Sequence, residues 1–360
     1  MIDKNVVKII GIGHTLGSCK ISNPELSELL KIPESKIIEK TGIINRYHCD
    51  TSKENLYTMM CVAFRKATKT AGIDTQSING LYTSSNPTGD FLLPNPAHIV
   101  GNLLDISNYS GGHIGTGCSG GLLALQAANA QLIMDRIKGT NSTYAIMVGD
   151  QTSRILSPLS TDQMLFSDGA ACIILTNKDV PYYYSIQNIE IRTHTQNNDA
   201  LKVPHAGLMN HNGRAIYKFA STIMPEILTI CNVDPSNLKS SFYFLPHQAN
   251  LRIIEAQMSR LSLYPESVYT HGVQAIGNTS SASTAIGLED IIRRNLNMHD
   301  NLFIATFGEG LTIGGTILKK GDLTNLKETD NLEDLKKIYM NKYTAKWHDS
   351  KSTPQGTLHT

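Results

Sequence analysis

The sequence has 360 residues, of which 41% are hydrophobic and 18% are charged. This length is enough for two domains, and the composition supports a large apolar core, which excludes a disordered or fibrous protein. The 32 basic and 31 acidic residues give a net charge of +1, so no overall field favours a nucleic acid or an anionic membrane as partner. We expect an enzyme that acts on small molecules, with any charged partner bound at a local patch.

Targeting signals and cysteine spacing indicate the compartment. The N-terminal segment MIDKNVVKIIGIG contains an acidic residue, Asp3, and only a short apolar run, unlike a signal peptide. No stretch approaches the roughly 18 consecutive apolar residues of a membrane span. The cysteines are scattered without a CxxC pair, which argues against disulfides and a structural metal site. We therefore expect a cytoplasmic protein that binds no metal.

Apolar periodicity predicts alternating strands and helices. In the first half the predicted strands are 6–13, 78–85, 143–149 and 169–177, and the predicted helices are 52–72 and 120–137. In the second half the predicted helices are 215–231, 251–261 and 280–295, and the predicted strands are 241–248, 301–308 and 311–320. This alternation predicts an α/β fold with largely parallel sheets and helices outside them.

Two segments of the chain follow the same pattern. Residues 115–132 and 277–294 each begin with a glycine-led turn of small residues and continue as an amphipathic helix. Each is followed by a strand that ends in glycine and then by a glycine-containing apolar strand. We therefore predict two related halves that join near residues 178–190. Ligands in such folds bind at the carboxyl ends of strands, where the turns GTGC, LPHQAN and AIGNTS occur.

The character of the sequence changes after Lys320. The segment becomes polar, and a further helix is then predicted from apolar residues at helical spacing. These residues are Leu332, Leu335, Tyr339, Tyr343 and Trp347. Residues 350–360 are expected to form a loose terminus.

Cys118 is the best candidate for a nucleophile. It lies within a GxGxxG pattern at residues 115–120. A looser glycine pattern occupies residues 11–17. Neither pattern indicates a dinucleotide site, because the first contains an unusual interior Cys and the second is not followed by a clear βαβ unit with a ribose-binding acid. A cysteine in the first turn of a helix lies near the positive end of the helix dipole, which predicts a lowered thiol pKa. The flanking glycines admit a substrate, and backbone N–H groups there can bind an oxyanion. The cysteines that we interpret as structural are Cys19, Cys61, Cys172 and Cys231.

Two further residues complete a candidate site. His247 follows an apolar strand in the motif Leu-Pro-His-Gln-Ala-Asn, and Asn278 lies in a small-residue turn before a helix. An imidazole N–H and an amide NH2 group are donors that can stabilise an enolate or an oxyanion. Either residue alone would be ambiguous, but a Cys, a His and an Asn at three strand–helix junctions together indicate an active site.

Several motifs carry a family resemblance. They are GCSGG at 117–121, LPHQANLR at 245–252, GNTS at 277–280 and FGEGLT at 307–312, with further matches at 40–46 and 166–171. These motifs resemble the condensing enzymes of the thiolase superfamily, and β-ketoacyl-[acyl-carrier-protein] synthase III is the nearest match. The resemblance implies a homodimer with a duplicated five-layer α-β-α-β-α fold. Its expected parts are a first half with the nucleophile at 1–180, a second half with the His and Asn at 181–320, and an extension at 321–360.

The same resemblance implies a two-step reaction. Cys118 would take an acyl group from a coenzyme A or carrier-protein thioester, and a second thioester would lose CO2 or a proton to give a carbanion. His247 and Asn278 would stabilise the enolate, and the N–H groups of Cys118 and Gly310 would form the oxyanion hole. No cofactor is expected beyond the phosphopantetheine or coenzyme A that carries each substrate.

Departures from the family pattern favour a specialised enzyme. Starter enzymes usually have Ala where this chain has Gly117, and they often carry Trp and Arg where this chain has Lys36 and Lys40. Adenine recognition is therefore not expected, and carrier-protein phosphopantetheine is favoured. The closing Gly-Gly-Gly has become Gly-Glu-Gly, which makes Glu309 either an added acid/base or a solvated loop residue. These features resemble ketosynthase/cyclases that join two thioesters into cyclohexanedione or resorcinol-type rings.

Basic residues could provide a docking patch for an acidic carrier protein, or they could be scattered solubilising charges. The residues expected at a carrier-protein or pantetheine site are Lys36, Lys40, Arg46, Arg214, Lys218, Asn250 and Arg252. Three other functions remain open at this point: a housekeeping starter enzyme that uses acyl-CoA, an O- or N-acyltransferase of the same fold, and an inactive partner. Retention of Asn278 favours condensation, because acyl transfer to a heteroatom needs a base more than an enolate donor.

Overall fold

The computed structural model describes residues 7–86, 89–91, 93–196, 199–204, 207–326 and 331–347. Within them the strands are β1 (Lys8–Leu16), β2 (Cys19–Ser22), β3 (Asn45–His48), β4 (Gly80–Ser84), β5 (Ser110–Ile114), β6 (Thr143–Asp150), β7 (Gly169–Thr176), β8 (Tyr184–Thr193), β9 (Leu201–Lys202), β10 (Asn210–His211), β11 (Phe242–Pro246), β12 (Asn301–Gly308) and β13 (Thr312–Lys320). The helices are α1 (Asn23–Leu30), α2 (Glu34–Thr41), α3 (Leu56–Ala71), α4 (Pro96–Leu103), α5 (Gly120–Ile137), α6 (Gly213–Ala220), α7 (Met224–Ile230), α8 (Pro235–Ser241), α9 (Leu251–Leu261), α10 (His271–Ile276), α11 (Ser283–Arg293) and α12 (Leu332–Trp347).

The main sheet shows the internal duplication. Its strand order is β11-β12-β13-β8-β1-β7-β6-β4-β5, and the halves meet where β1 pairs antiparallel with β8. Counted outward from this junction, β1-β7-β6-β4 and β8-β13-β12-β11 have the same order and the same strand directions. At the outer end β5 pairs parallel with β4, and Val268 forms a parallel bridge to Phe244 at the corresponding position. The fold is therefore duplicated, as predicted.

The sheet is mixed, so the prediction of largely parallel strands is wrong. β6 and β7 are antiparallel, as are β12 and β13, whereas β4 pairs parallel with β5 and β6. The reason is connectivity. Parallel neighbours need a crossover connection, usually a helix, whereas neighbouring strands that are joined without an α-helix, such as β6 and β7, can pair antiparallel. β12 and β13, for example, are separated by the short turn Glu309–Leu311.

Two helices lie between the halves. α5 contacts β4 and β6 of the first half and β8 and β13 of the second, and α11 contacts β1, β7 and β11. α3 and α4 cover the outer face of the first half, while α7 and α9 pack in the outer apolar cluster of the second. The result is the expected five-layer α-β-α-β-α arrangement. The two halves of the main sheet are its two β layers, and α5 and α11 form the central layer between them.

Two predicted helices differ in detail from the structure. The predicted helix 215–231 is divided into α6 and α7, because Pro225 lies in the first turn of α7 and cannot continue a preceding helix. The predicted helix 280–295 begins with a single 3-10 turn before α11. None of the helices in the described part of the chain is long and apolar enough to cross a bilayer.

The predicted C-terminal helix is confirmed as α12. Leu335, Tyr339 and Tyr343 are buried against the α3 side of the first half, and the ring of Tyr343 stacks on Tyr57 with centroids 5.8 Å apart. Residues 350–360, expected to be loose, lie outside the described residues. The helical part of the extension is therefore packed into the core of the first half.

Candidate active site

Cys118, His247 and Asn278 line one cavity of about 110 Å³. Cys118 lies just before α5, His247 just after β11, and Asn278 in the turn before α11. Because α5 and α11 are the two central helices, their N-terminal turns from the two halves meet at the same place. The duplication thus brings together residues that are up to 160 positions apart in the chain.

The Cys118 side chain is held close to the second half of the chain. Its Sγ lies 3.5 Å from the Ser280 hydroxyl oxygen, and its carbonyl accepts a hydrogen bond of 3.4 Å from the Thr306 hydroxyl. Gly308 approaches it closely, since a methyl group added there would lie 3.2 Å from the Cys118 amide nitrogen. Gly308 and Glu309 line the cavity, whereas Gly310 is not among the lining residues. The roles of Cys118 and Gly310 as oxyanion donors stay predictions, and the 308–309 segment is a further candidate at the cavity wall.

The expectation of a lowered thiol pKa at Cys118 is wrong. Burial raises the pKa of Cys118 to about 12; a hydrogen bond from Ser280 opposes this effect, and the charges of Asp150 and Glu309 add to it. The helix dipole is a weak effect near the first turn, and here desolvation and two nearby carboxylates outweigh it. The resting nucleophile is therefore a thiol, which must lose its proton as it attacks.

His247 is neutral and fixed in orientation. Its backbone N–H donates to the Ala305 carbonyl over 2.8 Å, its Nδ1 lies 2.6 Å from the Ser283 hydroxyl, and the Phe307 ring packs against it at a centroid distance of 5.1 Å. Burial lowers the pKa of His247 to about 3. Its Nε2 atom is buried, and no group among the described residues hydrogen-bonds to it. This nitrogen is therefore available to a substrate in the cavity.

Asn278 is anchored by its backbone. Its N–H donates to the Leu165 carbonyl over 2.9 Å, and its carbonyl accepts from Ser167 over 2.8 Å. The side-chain oxygen accepts a hydrogen bond of 2.9 Å from the Ser280 N–H. Since the oxygen is engaged, the amide NH2 group is the part of Asn278 that can donate to a substrate.

Asp150, at the end of β6, supports the site, and the sequence did not indicate it. Its carboxylate accepts hydrogen bonds from the Asn86 N–H over 2.7 Å and from the Ser281 N–H over 3.0 Å. Burial raises the pKa of Asp150. The residue ties the loop after β4 and the turn before α11 together beside Cys118.

Comparison with known proteins identifies the family. Residues 233–320 match the family model described as 3-oxoacyl-[acyl-carrier-protein (ACP)] synthase III C terminal. The β-ketoacyl-[acyl-carrier-protein] synthase III of Clostridium perfringens (strain SM101 / Type A) is 31% identical over 330 residues, which cover 87% of this chain and 98% of the relative. The chain belongs to the β-ketoacyl-[acyl-carrier-protein] synthase III family. It is thus a condensing acyltransferase that forms a carbon–carbon bond by Claisen condensation.

Solved structures show the same fold. The 3-oxoacyl-[acyl-carrier-protein] synthase III of Aquifex aeolicus VF5 has a TM-score of 0.77 at 24% identity and covers 87% of this chain and 99% of its own. The priming β-ketosynthase of the R1128 polyketide pathway also has a TM-score of 0.77, at 23% identity, with coverage of 90% and 98%. The thiolase-type fold is therefore shared with synthase III enzymes and with a polyketide ketosynthase.

The departure at Glu309 places an acidic residue in the lining of the cavity. Glu309 is half-buried and lines the cavity with Cys118 and His247. A methyl group added at Gly117 would lie 3.1 Å from the Glu309 Cγ, so the Glu309 side chain packs directly against the residue before the nucleophile. Of the two interpretations of Glu309, this position favours the acid/base over the solvated loop residue.

Arg46 cannot belong to a docking patch, which corrects one predicted site residue. It is fully buried, and its guanidinium donates to the Met164 carbonyl and to the Asn23 side chain. Burial lowers the pKa of Arg46 to about 10. Its role is structural: it holds β3 against the segment that leads to Phe166.

The other predicted basic residues lie at the surface on α2, α6 and α9. Lys36 and Lys40 are exposed on α2, and Arg214 and Lys218 are exposed on α6. Arg252 is half-exposed on α9, where it pairs with Glu255. Asn250 lines the cavity, caps α9 through its side-chain oxygen, and donates from its amide to the Lys40 carbonyl over 3.3 Å. α6 and α9 border the cavity, since Ile216 and Tyr217 of α6 and Ile253 of α9 line it, whereas none of its described lining residues lies on α2.

The cavity contains a second histidine, which no sequence motif indicated. His211 lines the cavity, and its Nδ1 lies 2.6 Å from an Asp162 carboxylate oxygen. The two residues are 49 positions apart and belong to no motif. No local pattern could therefore have indicated them.

The remaining lining is largely apolar and suits an acyl or pantetheine chain. It consists of Leu165, Phe166, Leu201, Gly213, Ile216, Tyr217, Ala249, Ile253, Phe307 and Leu311. In the described part of the chain, no group of three or more His, Cys, Asp or Glu side chains is arranged to hold a metal ion.

Proposed function

We propose that the protein joins a Cys118-bound acyl group to a second thioester delivered by an acyl carrier protein, in specialised polyketide or fatty-acid-derived metabolism. The observation that carries this proposal is the shared cavity. It combines the Cys, His and Asn of a condensing enzyme with an apolar lining and with Glu309, which the housekeeping pattern lacks.

In the first step the Cys118 thiol becomes acylated. Nε2 of His247 accepts the thiol proton, the sulfur attacks the thioester carbonyl, and the departing pantetheine thiolate takes the proton back. This requires Nδ1–H to donate to Ser283. Because a hydroxyl can donate or accept, Ser283 fits this tautomer as well as the other one.

In the second step the tautomer is reversed, so that Nε2–H of His247 and the Asn278 amide donate to the enolate of the second thioester. The enolate forms by loss of CO2 or of a C2 proton and attacks the acyl carbonyl on Cys118. The N–H of Cys118 and the 308–309 segment bind the oxyanion, and its collapse releases the Cys118 thiolate and the product. Removing one such donor typically costs about 10²–10³ in rate.

Charge and geometry support a carrier protein as donor. Exposed or half-exposed cations lie on α6 and α9, whose residues Ile216 and Ile253 line the cavity, and on α2, whose Lys40 carbonyl accepts from the cavity residue Asn250. Because acyl carrier proteins are acidic, local attraction would bring the phosphopantetheine arm to the cavity. The relatives carry the carrier protein in their names. Homodimer formation and a cytoplasmic location stay predictions.

We further propose that Glu309 assists ring closure of the condensed chain to a cyclohexanedione or resorcinol-type product. Glu309 lines the cavity with the nucleophile, and its side chain packs against Gly117; a carboxylate at this position can accept a proton from the bound intermediate and return it.

Intact-protein mass spectrometry with a panel of acyl-CoA and acyl-carrier-protein thioesters tests the proposal. We expect one acyl adduct on the wild type and none on Cys118→Ala, with carrier-protein thioesters the better donors. Malonyl or β-ketoacyl carrier protein is then added, and the product is identified. An adduct that persists in Cys118→Ala would disprove the nucleophile, an acyl-CoA preference would favour a starter enzyme, and an ester or amide product would show transfer to a heteroatom.

A further inference from the structure

The His211–Asp162 pair is a feature of the cavity that the two-step condensation does not use. Both side chains are largely buried, with exposed fractions of 9% and 14%. The Phe166 ring packs edge-on against His211 at a centroid distance of 5.9 Å. The backbone of Phe166 in turn pairs with Asn278. Phe166 therefore contacts both His211 and Asn278, and Asn278 is the residue expected to donate to the enolate.

The contacts of Asp162 determine which nitrogen of His211 can accept a proton. Burial opposes ionisation of Asp162, but the hydrogen bond and charge of His211, with a further hydrogen bond from Ser160, outweigh it and lower the pKa of the carboxyl. An ionised carboxylate can only accept, so Nδ1 of His211 carries the hydrogen that bridges to Asp162. In the neutral ring Nε2 then holds a lone pair. A carboxylate that fixes the tautomer and stabilises the imidazolium is the general-base arrangement of many enzymes.

We propose that His211, positioned by Asp162, removes the C2 proton of a β-ketoacyl thioester, so that the second substrate is a β-ketoacyl rather than a malonyl thioester. This inference rests on the proposed condensation. A malonyl thioester forms its enolate by losing CO2 and needs no base, whereas a β-ketoacyl thioester loses no carbon and needs one.

The step balances without any further reactant. Nε2 of His211 takes the C2 proton, and the electron pair of the C–H bond becomes the enolate. C2 then attacks the acyl carbonyl on Cys118, and the carbon–sulfur bond to Cys118 breaks. The His211 imidazolium returns its proton to the Cys118 thiolate. The products are a 2-acyl-3-ketoacyl thioester and the resting enzyme.

Deuterium exchange tests the base separately from condensation. The Cys118→Ala protein, which cannot form the acyl-enzyme, is incubated with a β-ketoacyl pantetheine thioester in D2O. Exchange at C2 is followed by mass spectrometry above the buffer-catalysed rate. We expect Cys118→Ala to accelerate exchange, and the added substitution His211→Gln or Asp162→Asn to reduce that acceleration by about 10²-fold or more. His194→Gln is the matched control, because it breaks a His–carboxylate pair of 2.8 Å with Glu226 whose side chains are more exposed and do not line the cavity.

Condensation rates give the second readout, with Cys118 intact. In His211→Gln we expect the rate with the β-ketoacyl thioester to fall at least ten times more than the rate with malonyl carrier protein, whereas a merely structural role would lower both alike. Equal losses, unchanged exchange, or a wild type that condenses only malonyl thioesters would overturn the role of His211 and leave the condensation intact. Absence of any Cys118 adduct would instead refute the proposed function.

Discussion

Glu309 occupies, beside Gly117, the space that a side chain on the residue before the nucleophile would need. A methyl group at Gly117 would lie 3.1 Å from Cγ and 3.3 Å from Cδ of Glu309, which is tighter than ordinary van der Waals contact. The resemblance to synthase III showed two separate departures, Gly for Ala and Glu for Gly. In the structure they are one feature, because a methyl group at residue 117 would force the Glu309 side chain to shift by a few tenths of an ångström.

Gly117→Ala should therefore impair ring closure in the same way as Glu309→Gln. The added methyl group displaces the carboxylate, and residues in direct contact have coupled effects. We expect each single variant to shift the products from cyclised towards open-chain. The double variant Gly117→Ala/Glu309→Gln should shift them no further than either single variant. Product ratios from chromatography of the three variants measure this. Additive effects of the two substitutions, or wild-type product ratios in Glu309→Gln, would show that the carboxylate has no part in cyclisation.

The raised pKa of Cys118 makes a prediction about thiol reactivity. Only the thiolate reacts with iodoacetamide, and with a pKa of about 12 the rate should rise about tenfold per pH unit through pH 7–9 with no plateau. Glu309→Gln removes a charge that raises this pKa and should speed alkylation at each pH. Ser280→Ala removes a hydrogen bond that lowers it and should slow alkylation. A plateau below pH 9, or the same direction of change in both variants, would contradict the assigned electrostatics.

What the sequence could predict here depended on local patterns. Cys118, His247 and Asn278 each lie in a motif at the junction of a strand and a helix, and such junctions form ligand sites in α/β folds. α5, α9 and β12 were predicted at the bounds that the structure shows, since hydrophobic periodicity marks long elements well. The helix over the C-terminal extension followed from the same periodicity.

What the sequence could not predict depended on contacts between distant segments. Arg46 reads as a surface cation, but Met164, 118 residues away, supplies the carbonyl that accepts its buried guanidinium. The pKa of Cys118 depends on desolvation and on Asp150 at the end of β6. The pairing of His211 with Asp162 arises only when β10 folds over the 160–166 segment. Each of these features requires the three-dimensional fold.

Burial of neutral His247 should make the protein sensitive to acid. Its folded pKa of about 3 lies below the ordinary value of 6.5, so between these values the unfolded chain binds the extra proton, and stability falls as the pH drops below about 6.5. At pH 5 the loss is about 2 kcal/mol relative to pH 7.5. Urea unfolding of the wild type and of His247→Gln at pH 5 and pH 7.5 isolates this contribution, because the remaining titratable groups are the same in the two proteins. Equal pH dependence in the two proteins would contradict a buried, neutral His247.

The C-terminal helix should stabilise the first half through a buried ion pair. Lys336 on α12 lies 2.7 Å from the Glu54 carboxylate, and both side chains are almost fully buried, with exposed fractions of 5% and 0%. Glu54 also accepts hydrogen bonds from the N–H and hydroxyl of Ser18. Lys336→Met leaves the Glu54 charge buried without its cation, which we expect to lower the free energy of unfolding by about 3–5 kcal/mol.

Lys342→Met provides the matched control on the same helix, because Lys342 pairs with Asp105 at 2.8 Å but both side chains are exposed. A surface pair of this kind contributes at most about 1 kcal/mol. The free energies of unfolding in urea should therefore fall much further in Lys336→Met than in Lys342→Met. Adding Glu54→Gln to Lys336→Met should recover part of the lost stability, since it removes the unpaired charge. Equal stability of Lys336→Met and Lys342→Met would mean that α12 is held by its apolar face alone.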